Sequence, residues 1–378
     1  MNDQTRRLIT TIHHSSRQIV LVTAGAGAQA LADLLAVAGA SRTLLEAIVP
    51  YSAAAFDNFL GYTPAKYVAQ DTAVSLAGCA LSHARELAPS ANVLGLACTA
   101  TITTDYPKRG DHHAHVAVWQ PENVVACDLH LDKGARSREE EERLISNLML
   151  NCLAQAMALP EQLPLDITPA DLLTTTEADF TRYARQLTNQ EISYFGINSD
   201  GRVLTTPPAA ILSGAFNPLH QGHIQLAQAA SNHLGVPVAF ECTAVNADKP
   251  PLPSETLLNR MAQFAGRWPV FASAAPTFVE KARLYPGIPF VVGYDTAVRI
   301  LQLRFYQNSS EAMYRALDEM KTYGNTFLVA GRLGDDDVFH DIDDLNVPAQ
   351  FTGLFQPLPA KLFRLDISST QLRTQSDA

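Results

Sequence analysis

The chain has 378 residues, 47% apolar and 17% charged, with 38 acidic against 28 basic residues and a formal charge of -10. That balance supports a core large enough for two domains and excludes both global disorder and a general nucleic-acid surface, while leaving room for a locally basic pocket. Five dispersed cysteines without a CxxC pair, and the lack of a signal-like or membrane-length apolar run, lead us to expect a soluble, cytoplasmic protein with reduced thiols and no membrane partner.

A polar helix opens the chain. IVLVT from Ile19 then reads as a strand, AGAGA as a small-residue turn, and the stretch carrying Leu31, Leu34 and Leu35 as a helix with one apolar face. TLLEAIVPYS holds a short strand, DTAVSLAGCALSHAREL a helix, and NVLGLACTA a strand. HHAHVAVWQ and NVVACDLHL read as a hairpin, and SREEEERLISNLMLNCLAQAM as a helix with an acidic first turn facing the positive end of its dipole. Prolines and threonines between Leu159 and Thr176 break the period, which places a first domain at 1–160 and a linker at 161–205. The linker is expected to hold a helix, EADFTRYARQL, and a hairpin turning at Asp200-Gly201. From 206 to 378 strands and helices alternate, from AAILSG through VPVAFECTA, WPVFASA, PFVVGYD and TFLVAG to a final strand and helix start in KLFRLDISSTQLR. Both domains are therefore α/β, the second a doubly wound parallel sheet.

GAFNPLHQGH stands at the exit of AAIL, where ligands of a parallel sheet bind and helix amides meet anions. Gly214 permits close backbone approach, Pro218 fixes the turn, Gly222 frees a helix start, and His220 and His223 lie about one turn apart. Two imidazoles there suit donation to phosphoryl oxygens; the alternatives are capping and packing, or ligation of a metal. In ISSTQLR, hydroxyls of Ser369 and Thr370 beside helix-start amides and the fork of Arg373 suit a triphosphate; the plainer alternative is an N-cap with a surface arginine.

The first stretch resembles the GxFxPxHxGH signature of nucleotidyltransferases related to nicotinamide-mononucleotide adenylyltransferase, matching at Gly214, Phe216, Pro218, His220, Gly222 and His223. ISSTxxR is a second signature of that superfamily. The resemblance implies a Rossmann-like domain in which His220, His223 and Arg373 are catalytic and Gly214, Ala215, Phe216, Gly222, Ser368, Ser369 and Thr370 hold the nucleotide. FVVGYDTA resembles the family's strand ending in GxD, adding Gly293 and Asp295, although Asp295 would equally cap a helix. VNADKPPLPSETLLNRM resembles its acceptor or phosphate segment, where Lys249 and Arg260 match; solvated positions are the alternative for both.

The first domain resembles nicotinamide-nucleotide amidases, the C-terminal domain of competence-damage-inducible (CinA) proteins, in its order over 15–158 and at Tyr51-Ser52. Where that family carries a nucleophilic serine this chain has Ala24, Gly25 and Ala26, so amidase activity lacks its nucleophile. What remains reads as an anion site: Thr23, Gly25 and Ser52 in the first loops, and Thr99, Thr101, Lys108 and Arg109 in a later one. The histidines of GDHHAHVAV are expected either to be solvated strand-edge residues or to supply one phosphate contact from His112 or His115, and no metal is expected.

These readings imply transfer of an adenylyl group from ATP to a phosphorylated acceptor, nicotinamide or nicotinate mononucleotide, with Mg2+ bridging phosphate oxygens and pyrophosphate released. The alternatives are a bifunctional amidase and adenylyltransferase, a cytidylyltransferase with another acceptor, and a nucleotide-binding regulator without turnover. Phe240, Trp268 or Tyr294 would stack on a pyridine ring or serve as core. A homo-oligomer is compatible with all of these.

Overall fold

The computed structural model describes residues 1–106, 108–245, 252–334 and 338–364. It divides into two compact units, the first made of Met1–Tyr183, Ile197–Val203 and Met261–Pro269, the second of Ala184–Gly196, Leu204–Arg260 and Val270–Ala378.

In the first unit the chain runs α1 (Asp3–His14), β1 (Arg17–Ala24), α2 (Ala28–Ala36), β2 (Leu44–Ile48), α3 (Ala53–Leu60), α4 (Gln70–Leu87), β3 (Asn92–Thr101), β4 (His112–Gln120), β5 (Asn123–Leu131), α5 (Arg138–Ala156) and β6 (Leu172–Asp179), and α6 (Phe180–Thr188) leads out of it. Its sheet has the order β2-β1-β3-β4-β5-β6, parallel among the first three strands and antiparallel from β3 onward. The hairpin read from HHAHVAVWQ and NVVACDLHL forms with Gln120 opposite Asn123. Ile19, Leu21, Leu94, Leu96, Val116, Val118 and Leu129 meet α5 through Ile145, Leu148, Met149 and Leu153 in one core. Ser137 and Glu140 close a capping box at the start of α5, as its acidic first turn allows.

Two elements differ from the expectation. The tract read as irregular up to Thr176 ends in β6, which pairs with β5 from His130 opposite Leu172 to Asn123 opposite Asp179. It is an edge strand with mostly exposed side chains, so burial gives its sequence no apolar alternation. The helix read from Glu177 consequently starts at Phe180.

The next elements are β7 (Tyr194–Ile197), β8 (Val203–Leu204), β9 (Ala210–Gly214), α7 (Gln221–Leu234), β10 (Val238–Thr243), α8 (Ser254–Met261), β11 (Val270–Ser273), α9 (Phe278–Leu284), β12 (Pro289–Gly293), α10 (Tyr294–Ile300), α11 (Ser310–Thr322), β13 (Thr326–Ala330), β14 (Arg332–Leu333), β15 (Phe339–His340) and β16 (Phe355–Leu358). The larger sheet has the order β16-β13-β12-β9-β10-β11-β7-β8, and β16 through β11 are mutually parallel. β7 and β8 are joined through a turn in which Gly201 takes φ +77° and donates its N–H to Asn198. Among the described residues the last strand is β16; of KLFRLD only Lys361 to Arg364 are described, and these form no strand. Pro357 weakens the strand signal of FQPL, and the edge position of β16 tolerates a missing donor.

Candidate functional site

From β9 the chain winds outward through β10 and β11 on one side, then returns to lay β12, β13 and β16 on the other. The carboxyl end of β9 is thus the switch point, where adjacent loops turn away and leave a crevice. A cavity of about 180 Å³ lies there, formed by Gly214 at the end of β9, Ala215 after it, Thr243 at the end of β10, Arg260 of α8, Lys281 of α9 and Thr296 of α10, among others.

The histidine motif is built on the same strand end. A Cβ on Gly214 would stand 2.8 Å from the Phe216 ring, so glycine is needed for that ring to fold back. Phe216 takes φ +42°, is buried, and sets its edge against Phe240 and His223, with ring centroids 5.4 and 5.0 Å apart. His220 is the N-cap of α7, and its imidazole stacks on that of His223 with centroids 3.6 Å apart. Burial, and secondarily the neighbouring imidazole, pulls His223 down to about 3; burial also lowers His220. Both rings are therefore neutral at pH 7. The His220 backbone N–H donates to Nδ1 of His223 over 3.4 Å, which assigns the His223 proton to Nε2.

Thr243 and Lys281 of the cavity belong to a charge network that the sequence pattern did not single out. Glu241 is fully buried in β10 and Lys281 is 3% exposed. Lys281 Nζ donates to both Glu241 oxygens at 2.7 Å and to Thr243 Oγ1 at 2.8 Å, while Ser273 Oγ donates to Glu241 at 2.6 Å. The available signal was a glutamate inside the apolar run VAFECT. Beside it, burial and the Glu241 charge push the Cys242 thiol up to about 12, leaving it protonated.

The expected residues are thus gathered unequally. Gly214, Ala215 and Arg260 share the cavity, Phe216 links Gly214 to His223, and Gly222 is buried in the first turn of α7. Gly293 ends β12 and is the N-cap of α10; Asp295 lies in its first turn, ion-paired with Arg332. Phe240 is core, Tyr294 stacks on His340 with centroids 5.3 Å apart, and Trp268 belongs to the first unit, so none is placed in this cavity's lining. Lys249, Ser368, Ser369, Thr370 and Arg373 lie outside the described residues.

In the first unit the small-residue loop is folded around its own carboxylate. Gly25 takes φ +89°, with a would-be Cβ 1.9 Å from the Ala100 carbonyl oxygen, so only glycine fits. The N–H groups of Gly27 and Gln29, which a phosphate at the start of α2 would need, donate to Glu142 at 2.9–3.0 Å. That corrects the expectation of an open cradle: α5 brings a fixed negative charge to the positive helix end. Thr23 donates to the Ala26 carbonyl, Ser52 caps α3 by accepting from the Ala55 N–H, and Thr99 is buried and donates to the Tyr67 carbonyl. Lys108 Nζ reaches Thr101 Oγ1 at 2.5 Å and the Ile102 carbonyl at 2.7 Å, and burial lowers its pKa; Arg109 is exposed. The histidines are not solvated edge residues, because β4 is internal to the sheet. His112 is buried against Glu141 at 2.7 Å, His115 meets Asp128 at 2.5 Å, and His113 stacks on His130. Among the described residues no group of three or more His, Cys, Asp or Glu is arranged to hold a metal, and no helix is long and apolar enough to cross a membrane.

Residues 211–375 match the cytidylyltransferase-like family. Among solved structures, the chain is similar to the competence/damage-inducible protein of Agrobacterium tumefaciens, at 22% identity and a TM-score of 0.32, over 41% of this chain and 93% of that one. It is also similar to a competence-damaged (CinA) superfamily protein of Klebsiella pneumoniae, at 14% identity and a TM-score of 0.34, over 42% and 99%. A superfamily protein of Enterobacter cloacae is 13% identical, with a TM-score of 0.32, over 41% and 90%. No curated protein matches significantly.

Proposed function

We propose that the second unit transfers a nucleotidyl group from a nucleoside triphosphate to a phosphorylated acceptor and releases pyrophosphate. The observation that carries the reading is the cytidylyltransferase-like match over 211–375, which includes the histidine motif at the switch point of a parallel sheet. In this reading the acceptor phosphate attacks the α-phosphorus in line and pyrophosphate leaves. The neutral imidazoles of His220 and His223 donate to phosphoryl oxygens as charge shifts toward the leaving group, and Ser368, Ser369, Thr370 and Arg373 take the β and γ phosphates. A Mg2+ ion would be held largely by the triphosphate's oxygens and waters, without an all-protein cage, and would offset phosphate charge.

Our substrate choice is ATP with nicotinamide or nicotinate mononucleotide, supported by the resemblance of the two domains to proteins of pyridine-nucleotide chemistry. Transfer from CTP is the second reading, favoured by the description of the matching family. For the first unit we propose a role without amide hydrolysis: Ala24, Gly25 and Ala26 supply no nucleophile, and Glu142 fills the α2 amides. Pyrophosphate release from ATP, CTP and GTP against nicotinamide mononucleotide, nicotinate mononucleotide, phosphopantetheine and simple sugar phosphates tests these choices. A preference for CTP would overturn the substrate choice, and binding without release from any pairing would overturn transfer.

A further inference from the structure

We infer that Thr243 is the residue that grips the acceptor's phosphate group in this cavity, and that Glu241 and Lys281 are positioning residues that aim it; this deepens, and rests on, the transferase reading above. Buried ion pairs contribute little net stability, because desolvation offsets attraction, so their place in a fold calls for another explanation. Here one member of the pair, Lys281, lines the cavity. The three N–H bonds of Lys281 meet three acceptors, the two oxygens of Glu241 and Oγ1 of Thr243, so this lysine lines the cavity with its donors already committed. Glu241 is fixed in turn by Ser273 of β11, and its own charge is matched by Lys281.

The consequence falls on Thr243. A hydroxyl that accepts from an ammonium has its proton left to give, and polarisation by the cation makes it a better donor. Thr243 stands one residue beyond Cys242, the register partner of Gly214, and lines the cavity together with Gly214 and Ala215. Arg260 lines the same space, and its positive charge acts on the neighbouring Cys242. An aimed hydroxyl with a guanidinium in one small cavity fits a tetrahedral oxyanion, and next to the motif assigned to the triphosphate the fitting group is the acceptor's phosphate.

The test measures binding of nicotinamide mononucleotide, inorganic phosphate and ATP to the full chain by calorimetry, with pyrophosphate release followed separately. Thr243→Val should weaken nicotinamide mononucleotide and phosphate at least tenfold and leave ATP unchanged, and Thr243→Ser should restore them. The paired replacement Glu241→Met with Lys281→Met keeps a filled, uncharged interior, so it should retain the thermal midpoint yet weaken the same two ligands as Thr243→Val does. Wild-type binding of both in Thr243→Val, equal weakening of ATP, or failure of the wild type to bind either phosphate compound would overturn the inference. Pyrophosphate release by the wild type together with unaltered binding in the variants would remove this inference alone. Selective loss of phosphate binding in a wild type that never releases pyrophosphate would remove the transferase reading and leave the phosphate site standing.

Discussion

The imidazoles of His220 and His223 stack face to face at 3.6 Å, an arrangement that two charged rings would resist and two neutral rings permit. Neutrality still leaves each ring one N–H to donate, and for His223 that donor is Nε2. The pair is suited to giving hydrogen bonds to a phosphoryl group without first binding it as a cation.

Replacing His223 with Ala should reduce pyrophosphate release by about 100- to 1,000-fold, the usual effect of losing one preorganised donor. Stability should fall by only ~0.5–1.5 kcal/mol beyond the lost area, from the edge contact with Phe216. Steady-state rates and thermal unfolding on the same preparation check both; turnover at the wild-type rate contradicts the assignment.

Acid should expose the buried imidazole. His223 takes up a proton near 3 in the folded chain and near 6.5 in the unfolded one, so between these values the unfolded chain binds more protons. Its contribution to stability is complete above 6.5 and is lost as pH falls toward 3, at no more than about 1.4 kcal/mol per pH unit. Thermal midpoints from pH 7 to pH 3.5 should drop more steeply in the wild type than in His223→Gln; parallel curves would show that the ring is not held neutral.

Glu142→Ala should cost about 1 kcal/mol, because it strips the α2 N-terminus of the carboxylate to which the Gly27 and Gln29 N–H groups donate. Added sulfate should recover more stability in this variant than in the wild type, since the vacated amides then face an anion from solution. Urea midpoints with and without sulfate decide it, and equal salt response would mean that the amides find another protein partner.

Asp295 pairs with Arg332 at the surface, where the two side chains are 61% and 28% exposed. Asp295→Asn should therefore change stability by less than about 1 kcal/mol. The proposed ligand role requires the KM for the triphosphate to rise roughly tenfold nonetheless, an effect of one lost charge-assisted hydrogen bond. Unchanged kinetics would leave the carboxylate with its ion pair alone.

Local pattern made a large part of this fold readable. The buried run IVLVT, the hairpin between Gln120 and Asn123, and the glycine and proline signals around β9 each express a constraint that acts within a few residues, so the sequence carries them openly. The same locality makes the histidine motif legible at a strand exit. It misled at the sheet edges, because β6 exposes its side chains and β16 contains a proline, and a strand paired on one side needs neither strict alternation nor every donor. What only tertiary structure decided are the pairings between distant residues. Lys281 reaches Glu241 across 40 positions, and Glu142 reaches Gly27 across 115. No period along the chain encodes such meetings; they arise when helices packed on a sheet bring a charge to a strand end or a helix start, and there the buried charge must find its partner.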